Sequence, residues 1–325
     1  MVLSGNNSPS LLLGGSLIMQ CAEVVAVTVT FNAGDDWEPF LASVLAQRGI
    51  DWHLVVVDNA SSDMTRSKLA GIDDPRITVI LNDSNLGVAA ANNQGIGVAL
   101  ARGADQLLIL NNDTEFDADL FAGLTDSLLA NGVDAVSPLI PFFDRADLIW
   151  FGGGSFQRRL GVLNIHDHHD EPLDRISSQP FTIDYAPTCC LQVARHVFET
   201  IGCMDEEYFV YWDDTDFCWR LRAAGFRILL DPQLRLLHKV ARSTGGALSP
   251  FTIRYSQRNQ MMFVRKHFGW FCIGYTAVMS VVLAIAFWLN GRTNFAQMRL
   301  RLSALREGMA MPVTRYSKNY VGVRK

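Results

Sequence analysis

The chain has no Cys-x-x-Cys pair, and its six cysteines (Cys21, Cys189, Cys190, Cys203, Cys218 and Cys272) keep no metal-like spacing. A structural zinc site draws its ligands from short paired spacings, so that class is excluded. Most of these cysteines sit in apolar runs, where a reduced Cys packs as a small hydrophobe, which fits a reducing cytosolic environment. No Lys or Arg precedes the Leu-rich stretches of the first twenty residues, so no secretory signal peptide is expected. No G-x-G-x-x-G follows the first apolar run, which removes the dinucleotide fingerprint, and no G-x-x-x-x-G-K-[ST] occurs, which argues against a P-loop ATPase. Internal repeats and low-complexity tracts are also missing.

At 325 residues and 49% hydrophobic, the chain can bury one large core and carry an extension. The net charge of −5 is unevenly spread. From Arg292 onward eight basic residues (Arg292, Arg299, Arg301, Arg306, Arg315, Lys318, Arg324, Lys325) face one acid, Glu307. An acidic body with a basic tail suits contact with phosphate head groups, and equally a solvated basic helix.

From Val24 short apolar strands alternate with amphipathic helices. Val24 to Thr30, Leu54 to Val57, Arg76 to Leu81 and Gln106 to Leu110 read as strands. Asp36 stands where it can cap a helix carrying Trp37, Phe40, Leu41, Val44 and Leu45 on one face, and Leu120, Phe121, Leu124 and Leu128 mark another. This alternation predicts an α/β fold with a mainly parallel sheet covered on both faces. Residues 141–179 lack periodicity and read as an excursion over the sheet. Order returns at Phe181, with helices near Ala194 to Ile201 and from Asp213, the latter stopping at Gly225.

Ligands of open parallel sheets gather beyond the carboxyl ends of the strands. Polar residues concentrate there: Thr30-Phe31-Asn32, Asp58-Asn59-Ala60-Ser61-Ser62-Asp63 and Asn111-Asn112-Asp113. Together with Asn85-Leu86-Gly87, Asn92-Asn93 and the later Tyr211-Trp212-Asp213-Asp214-Thr215-Asp216-Phe217-Cys218-Trp219-Arg220, this ordered series resembles glycosyltransferase family 2. The resemblance covers roughly Val24 to Gly245 and is most similar to the rhamnosyltransferase-like branch that decorates bacterial polysaccharides and lipid-linked glycans. It implies a GT-A fold, inversion at the anomeric carbon, a nucleotide-diphospho-sugar donor and a glycan or lipid-linked acceptor. It also implies work at the cytoplasmic face of the inner membrane, no nucleic-acid partner and an open oligomeric state. Residues 1–21 then form an N-terminal extension, 22–245 the transferase domain and 246–325 a helical, membrane-associated region.

The resemblance also assigns roles. Thr30, Asn32, Asp58, Asn85, Gly87, Asn92 and Asn112 would bind the donor, Asp58 by accepting hydrogen bonds from neutral groups. Asp113 and His238 would hold Mg²⁺ or Mn²⁺. The family's Asp-x-Asp is Asn111-Asn112-Asp113 here, which exchanges a carboxylate for a neutral amide and puts metal dependence in question. Asp213, Asp214 and Asp216 open a helix, whose dipole favours their ionised form, as a general base requires. Asp214 is expected to be the base, with Asp213 the close rival and Asp216 in a supporting or acceptor-binding role; capping would account for only one of the three.

Two features compete as decoys. His166-Asp167-His168-His169-Asp170 has the look of a metal box, although neighbours in a loop rarely converge on one ion. Gly152-Gly153-Gly154 reads as a flexible turn or a lid. Phe268 to Leu289 is 22 residues without a charge, long enough to span a bilayer, with Trp270 and Trp288 near its ends. Both flanks are basic, which disfavours a single span and leaves an in-plane or re-entrant helix, or a buried dimer helix. A chain cut near Gly246 should then leave the membrane. A processive synthase is disfavoured because a Q-x-x-R-W motif and several membrane helices are missing. A sugar nucleotidyltransferase would need an Arg-containing Gly-rich loop where Asn32-Ala33-Gly34-Asp35 stands, and a nucleotide-sugar-binding protein without activity stays open.

Overall fold

A computed structural model describes residues 23–240, 246 and 248–314. The N-terminal extension, the expected boundary at 245, Cys21 and the basic residues Arg315, Lys318, Arg324 and Lys325 lie outside the described residues.

The first half is built as expected. β1 (Val24–Thr30), α1 (Trp37–Leu45), β2 (Trp52–Asp58), α2 (Thr65–Ala70), β3 (Ile77–Leu81), α3 (Val88–Ala101) and β4 (Gln106–Leu110) alternate strictly. β1 pairs in parallel with β2 and β4, and β2 with β3. The β-branched runs of β1 and β2 are buried on both faces, as a parallel sheet flanked by helices requires. Asp36 does not cap α1, since its side chain makes no cap hydrogen bond; it lies 3.3 Å from Lys239 instead.

The second half mixes directions. β5 (Thr114–Phe116), α4 (Leu120–Asn131), β6 (Ala135–Pro141), β7 (Ile149–Phe151), β8 (Gly154–Gln157), β9 (Leu163–His166), β10 (Phe181–Ile183), β11 (Cys190–Ala194), α5 (Arg195–Ile201), α6 (Asp213–Ala223) and β12 (Ile228–His238) follow. The main sheet runs β10-β12-β6-β11-β4-β1-β2-β3. β11 is antiparallel to both β4 and β6 and joins the two parallel halves. The expected excursion over 141–179 contains the β8–β9 hairpin, which lies off the main sheet. Its glycine run is not a free turn: a Cβ on Gly154 would stand 2.5 Å from the Tyr185 carbonyl oxygen, so β8 passes that backbone at closest range.

Three helices close the described chain: α7 (Pro250–His267), α8 (Trp270–Leu289) and α9 (Phe295–Ala310). Ser249 caps α7 by accepting from the Thr252 N–H, and Asn294 with Gln297 forms a capping box on α9. Met261, Met262, Phe263 and Val264 of α7 are fully buried in a cluster with Tyr208, Trp212 and Val162. The helices therefore share a core with the segment that leads into α6. Phe268 and Gly269 stay outside α8. Its Thr276, Ser280 and Ala284 face inward at helical spacing, while Phe271, Val278, Val282, Ile285 and Leu289 are exposed.

Candidate active site

One cavity of about 1180 Å³ begins at the carboxyl ends of the strands and extends to α7, α8 and α9. Asn85, Gly87, Asn92, Asn112, Asp113, Asp213, Asp214 and His238 all line it. Thr30, Asn32 and Asp58 are not among its lining residues: Thr30 and Asp58 are fully buried and Asn32 is exposed.

On the strand-end side, two of the expected donor residues, Asn85 and Gly87, are tied to Asn59 and to each other. Asn59 donates to the Asn85 side chain (2.9 Å) and to the Gly87 carbonyl (3.1 Å). Asn85 in turn accepts from the Gly87 N–H at 2.9 Å. Gly87 is left-handed at φ 88°, and a Cβ there would come within 2.5 Å of the Phe209 carbonyl oxygen. No side chain fits that approach. Asn32 accepts from the Ser62 N–H at 2.8 Å and so fixes the loop after β2. Asp58 departs from expectation: besides the Ser61 N–H, its Oδ2 accepts from Arg66 Nε at 2.8 Å. The guanidinium offsets part of the cost of burying this carboxylate. Asp58 Oδ1 and Thr30 Oγ1 are buried without a hydrogen-bond partner.

The β5–β12 pairing sets Thr114 opposite His238 and thereby brings Asp113 beside the histidine. Asp113 Oδ1 and His238 Nε2 are 3.2 Å apart, and neither Asp113 Oδ1 nor His238 Nδ1 has a hydrogen-bond partner among the described residues. The Trp150 ring meets His238 edge-on at 4.4 Å between centroids. Among the described residues no group of three His, Cys, Asp or Glu side chains converges on a metal position. The histidine-rich run diverges: His168 pairs with Glu171, and His166 and His169 both meet the Trp150 carbonyl. Burial pushes His166 down to about 4, so it faces the cavity as a neutral imidazole.

The acidic helix enters through a strained turn. Tyr211 and Trp212 have φ of 63° and 69°, a left-handed conformation that bulky side chains disfavour. Asn259 of α7, fully buried, holds the turn by donating to the carbonyls of Val210 (2.8 Å) and Tyr211 (2.9 Å). Asp214 accepts from Tyr185 OH at 2.8 Å and from the N–H and hydroxyl of Thr215 at 2.6 and 3.0 Å. Burial raises its pKa. Asp213 is pushed up to about 8, first by burial and then by the Asp214 carboxylate. Asp213 does not cap the helix; Trp212 occupies the cap position. Asp216 is turned away into an ion-pair cluster with Arg220 (2.7 Å) and His267 (2.6 Å), and these cations hold its pKa down against burial. Its place is structural.

Sequence reasoning missed Tyr185, Trp150, Asn259 and Arg66, and it marked His166 only as part of the histidine-rich decoy. Each reaches the site from a separate segment.

The family profile described as glycosyl transferase family 2 matches residues 25–201. A dTDP-rhamnosyl transferase, RfbF of Shigella flexneri, is 24% identical over 253 residues, covering 76% of this chain and 81% of that protein. The N-acetylglucosaminyl-diphospho-decaprenol L-rhamnosyltransferase of Mycobacterium tuberculosis is 25% identical over 305 residues, covering 87% and 97%. GalNAc-T7, solved with UDP, GalNAc and Mn²⁺, shares the fold at a TM-score of 0.61 and 15% identity, across 90% of this chain and 56% of that one. The mannosyltransferase PcManGT of Pyrobaculum calidifontis, solved with GDP-Man and Mn²⁺, does so at 0.53 and 15%, across 88% and 87%. These neighbours identify the mixed sheet as the GT-A fold. With more than half its length matched by the profile and its strand-end asparagines and acidic helix opening on one cavity, the chain belongs to glycosyltransferase family 2.

Proposed function

We propose that the protein transfers L-rhamnose from dTDP-rhamnose to a lipid-linked sugar diphosphate, with inversion, at the cytoplasmic face of the membrane. The observation that carries the chemistry is the Asp213–Asp214 pair, two buried carboxyls with raised pKa on the cavity wall. Burial and the neighbouring Asp214 push Asp213 up to about 8, which favours its protonated form near neutral pH, and we assign the base to Asp214. Tyr185 and Thr215 orient that carboxylate. It takes the proton of an acceptor hydroxyl as the oxygen attacks the anomeric carbon and the nucleoside diphosphate departs from the opposite face. Phe31 and Asn59, which line the cavity next to the buried Thr30 and Asp58, suit the nucleoside. The choice of sugar and acceptor rests on the names of the two rhamnosyltransferase relatives.

Asp113 and His238 offer one carboxylate and one imidazole side by side, a donor set that fits Mg²⁺ or Mn²⁺ when the donor diphosphate supplies the other oxygens. Such an ion would neutralise charge on the leaving diphosphate. Activity should fall in EDTA and return with either ion; full activity in chelator would remove the metal from this reading.

α8 has 20 residues and a mean hydropathy of 2.1, yet one of its faces packs against the protein. A helix so placed suits the membrane interface, with the ridge from Phe271 to Leu289 in the acyl boundary. The test of function is a donor panel with and without a short polyprenyl-diphospho-N-acetylglucosamine. Acceptor-dependent dTDP release, with an anomeric configuration in the product opposite to the donor's, is expected. Release that ignores the acceptor, or no release from any donor, would overturn the reading.

A further inference from the structure

The limb of the cavity between α8 and α9 holds a cation that the transfer chemistry does not use. Arg301 of α9 lines it together with Leu283, Ala284 and Phe287 of α8. Its guanidinium lies 5.8 Å from the Phe287 ring centre, and its Nε is buried without a hydrogen-bond partner. The Arg and Lys side chains of α7 are engaged: Arg254 and Arg258 with Glu307, Arg265 with the carbonyls of Gly308 and Met311, Lys266 with Asp205 and Glu207; Arg299 and Arg306 of α9 are exposed to solvent. Arg301 has no carboxylate among the described residues. Residues 1–22, 241–245, 247 and 315–325 contain no Asp or Glu, so no side chain there supplies one. Burial alone perturbs this guanidinium, and it lowers the pKa. A half-buried guanidinium in an apolar limb, with no counter-ion among the described residues, is arranged for an anion brought by a ligand.

We propose that Arg301 binds the phosphate joining the acceptor's sugar to its lipid, with the hydrocarbon chain leaving past Leu283 and Phe287 along α8. The assignment rests on the lipid-linked acceptor proposed above. It gives the cavity two ends: strand ends for the nucleotide, Arg301 for the acceptor phosphate, and the Asp213–Asp214 pair on the wall between the helices and the sheet. The polar wall of the same limb is already satisfied, since Gln257 donates to Gln260 and Ser280, and Gln260 to the Val162 carbonyl. Arg301 is therefore the group left to meet a charge.

Farnesyl diphosphate, which carries no sugar, is the direct probe, with binding to the full-length protein followed by tryptophan fluorescence beside dTDP binding. Arg301→Gln should weaken farnesyl diphosphate about tenfold to hundredfold, the usual weight of a charge-assisted contact, and leave dTDP unchanged. Arg301→Lys should restore part of the loss. In the transfer assay the same variant should raise KM for the polyprenyl-diphosphate acceptor and leave KM for a neutral alkyl glycoside of the same sugar unaltered. Equal binding of farnesyl diphosphate by the wild type and Arg301→Gln overturns the proposal. So does a parallel loss of dTDP, which would make Arg301 part of the donor site. If binding follows this pattern but no lipid-linked acceptor is glycosylated, the phosphate site stands and the functional reading falls.

Discussion

Three aspartates within four positions carry different duties, and their surroundings decide which. Asp214, ionised and oriented by Tyr185, is the candidate base. Asp214→Asn should lower kcat by a factor of about 10²–10⁴, the range of general-base catalysis, while dTDP-sugar affinity stays near wild type. Near-normal turnover would transfer the role to Asp213. Asp213 also leaves a thermodynamic trace. Its pKa is about 8 in the folded chain and near 4 when unfolded, so between those values only the folded state holds the proton. Stability must then fall as pH rises through that window, by at most about 1.4 kcal/mol per pH unit. Asp213→Asn removes the titration, and its melting temperature should decline less than that of the wild type between pH 5 and 8. Identical slopes would show that Asp213 is not protonated. Asp216 acts in the opposite sense: its depressed pKa contributes stability above pH 4 that is lost as pH falls through the folded value. All three acids were legible as a cluster at a helix start. Their division of labour was not, because Tyr185 and His267 come from distant segments.

At the scale of elements, the strands that read clearly are the β-branched runs of β1 and β2 and the apolar β4. β11, Cys-Leu-Gln-Val-Ala, is short and carries a Gln, so nothing local marks it as the antiparallel strand joining the sheet's halves. That Gln192 donates from its buried amide to Gln106 and, at 2.9 Å, to Thr125, while its Oε1 has no partner among the described residues. The turn 211–212 is likewise invisible in sequence, since its strain is held by Asn259, 47 positions beyond Trp212. Asn259→Ala leaves two carbonyls without their donor and should cost about 1–3 kcal/mol of stability. If the turn aims Asp213 and Asp214, kcat should also drop while KM for donor holds. A loss of stability with kcat intact would reduce Asn259 to a packing residue. α8 was legible as a hydrophobic segment, but not as a helix with an inner face of Thr276, Ser280 and Ala284.

For the whole molecule, the exposed ridge of α8 and the basic residues of α9 predict how the protein partitions. Full-length protein should sediment with anionic vesicles, and high salt should release it only in part, since Debye screening weakens the basic contacts and leaves the apolar ridge untouched. Replacing Val278, Val282, Ile285 and Leu289 together by Ser or Gln should move the protein to the supernatant with its fold intact. Wild-type protein that stays soluble with vesicles present would show that the ridge meets protein instead.

The sharing of α7 between the catalytic turn and the C-terminal helices has a practical corollary for anyone wishing to handle this enzyme without detergent. The C-terminal helices are not detachable. A cut near Gly246, which the sequence invites, would remove Asn259 from the turn and strip Met261, Met262, Phe263 and Val264 from Trp212 and Val162, leaving raw hydrophobic surface beside the acids. Such a fragment should aggregate and be inert, and its silence in an assay would say nothing of the chemistry. The route to a tractable protein is repainting the outside of α8.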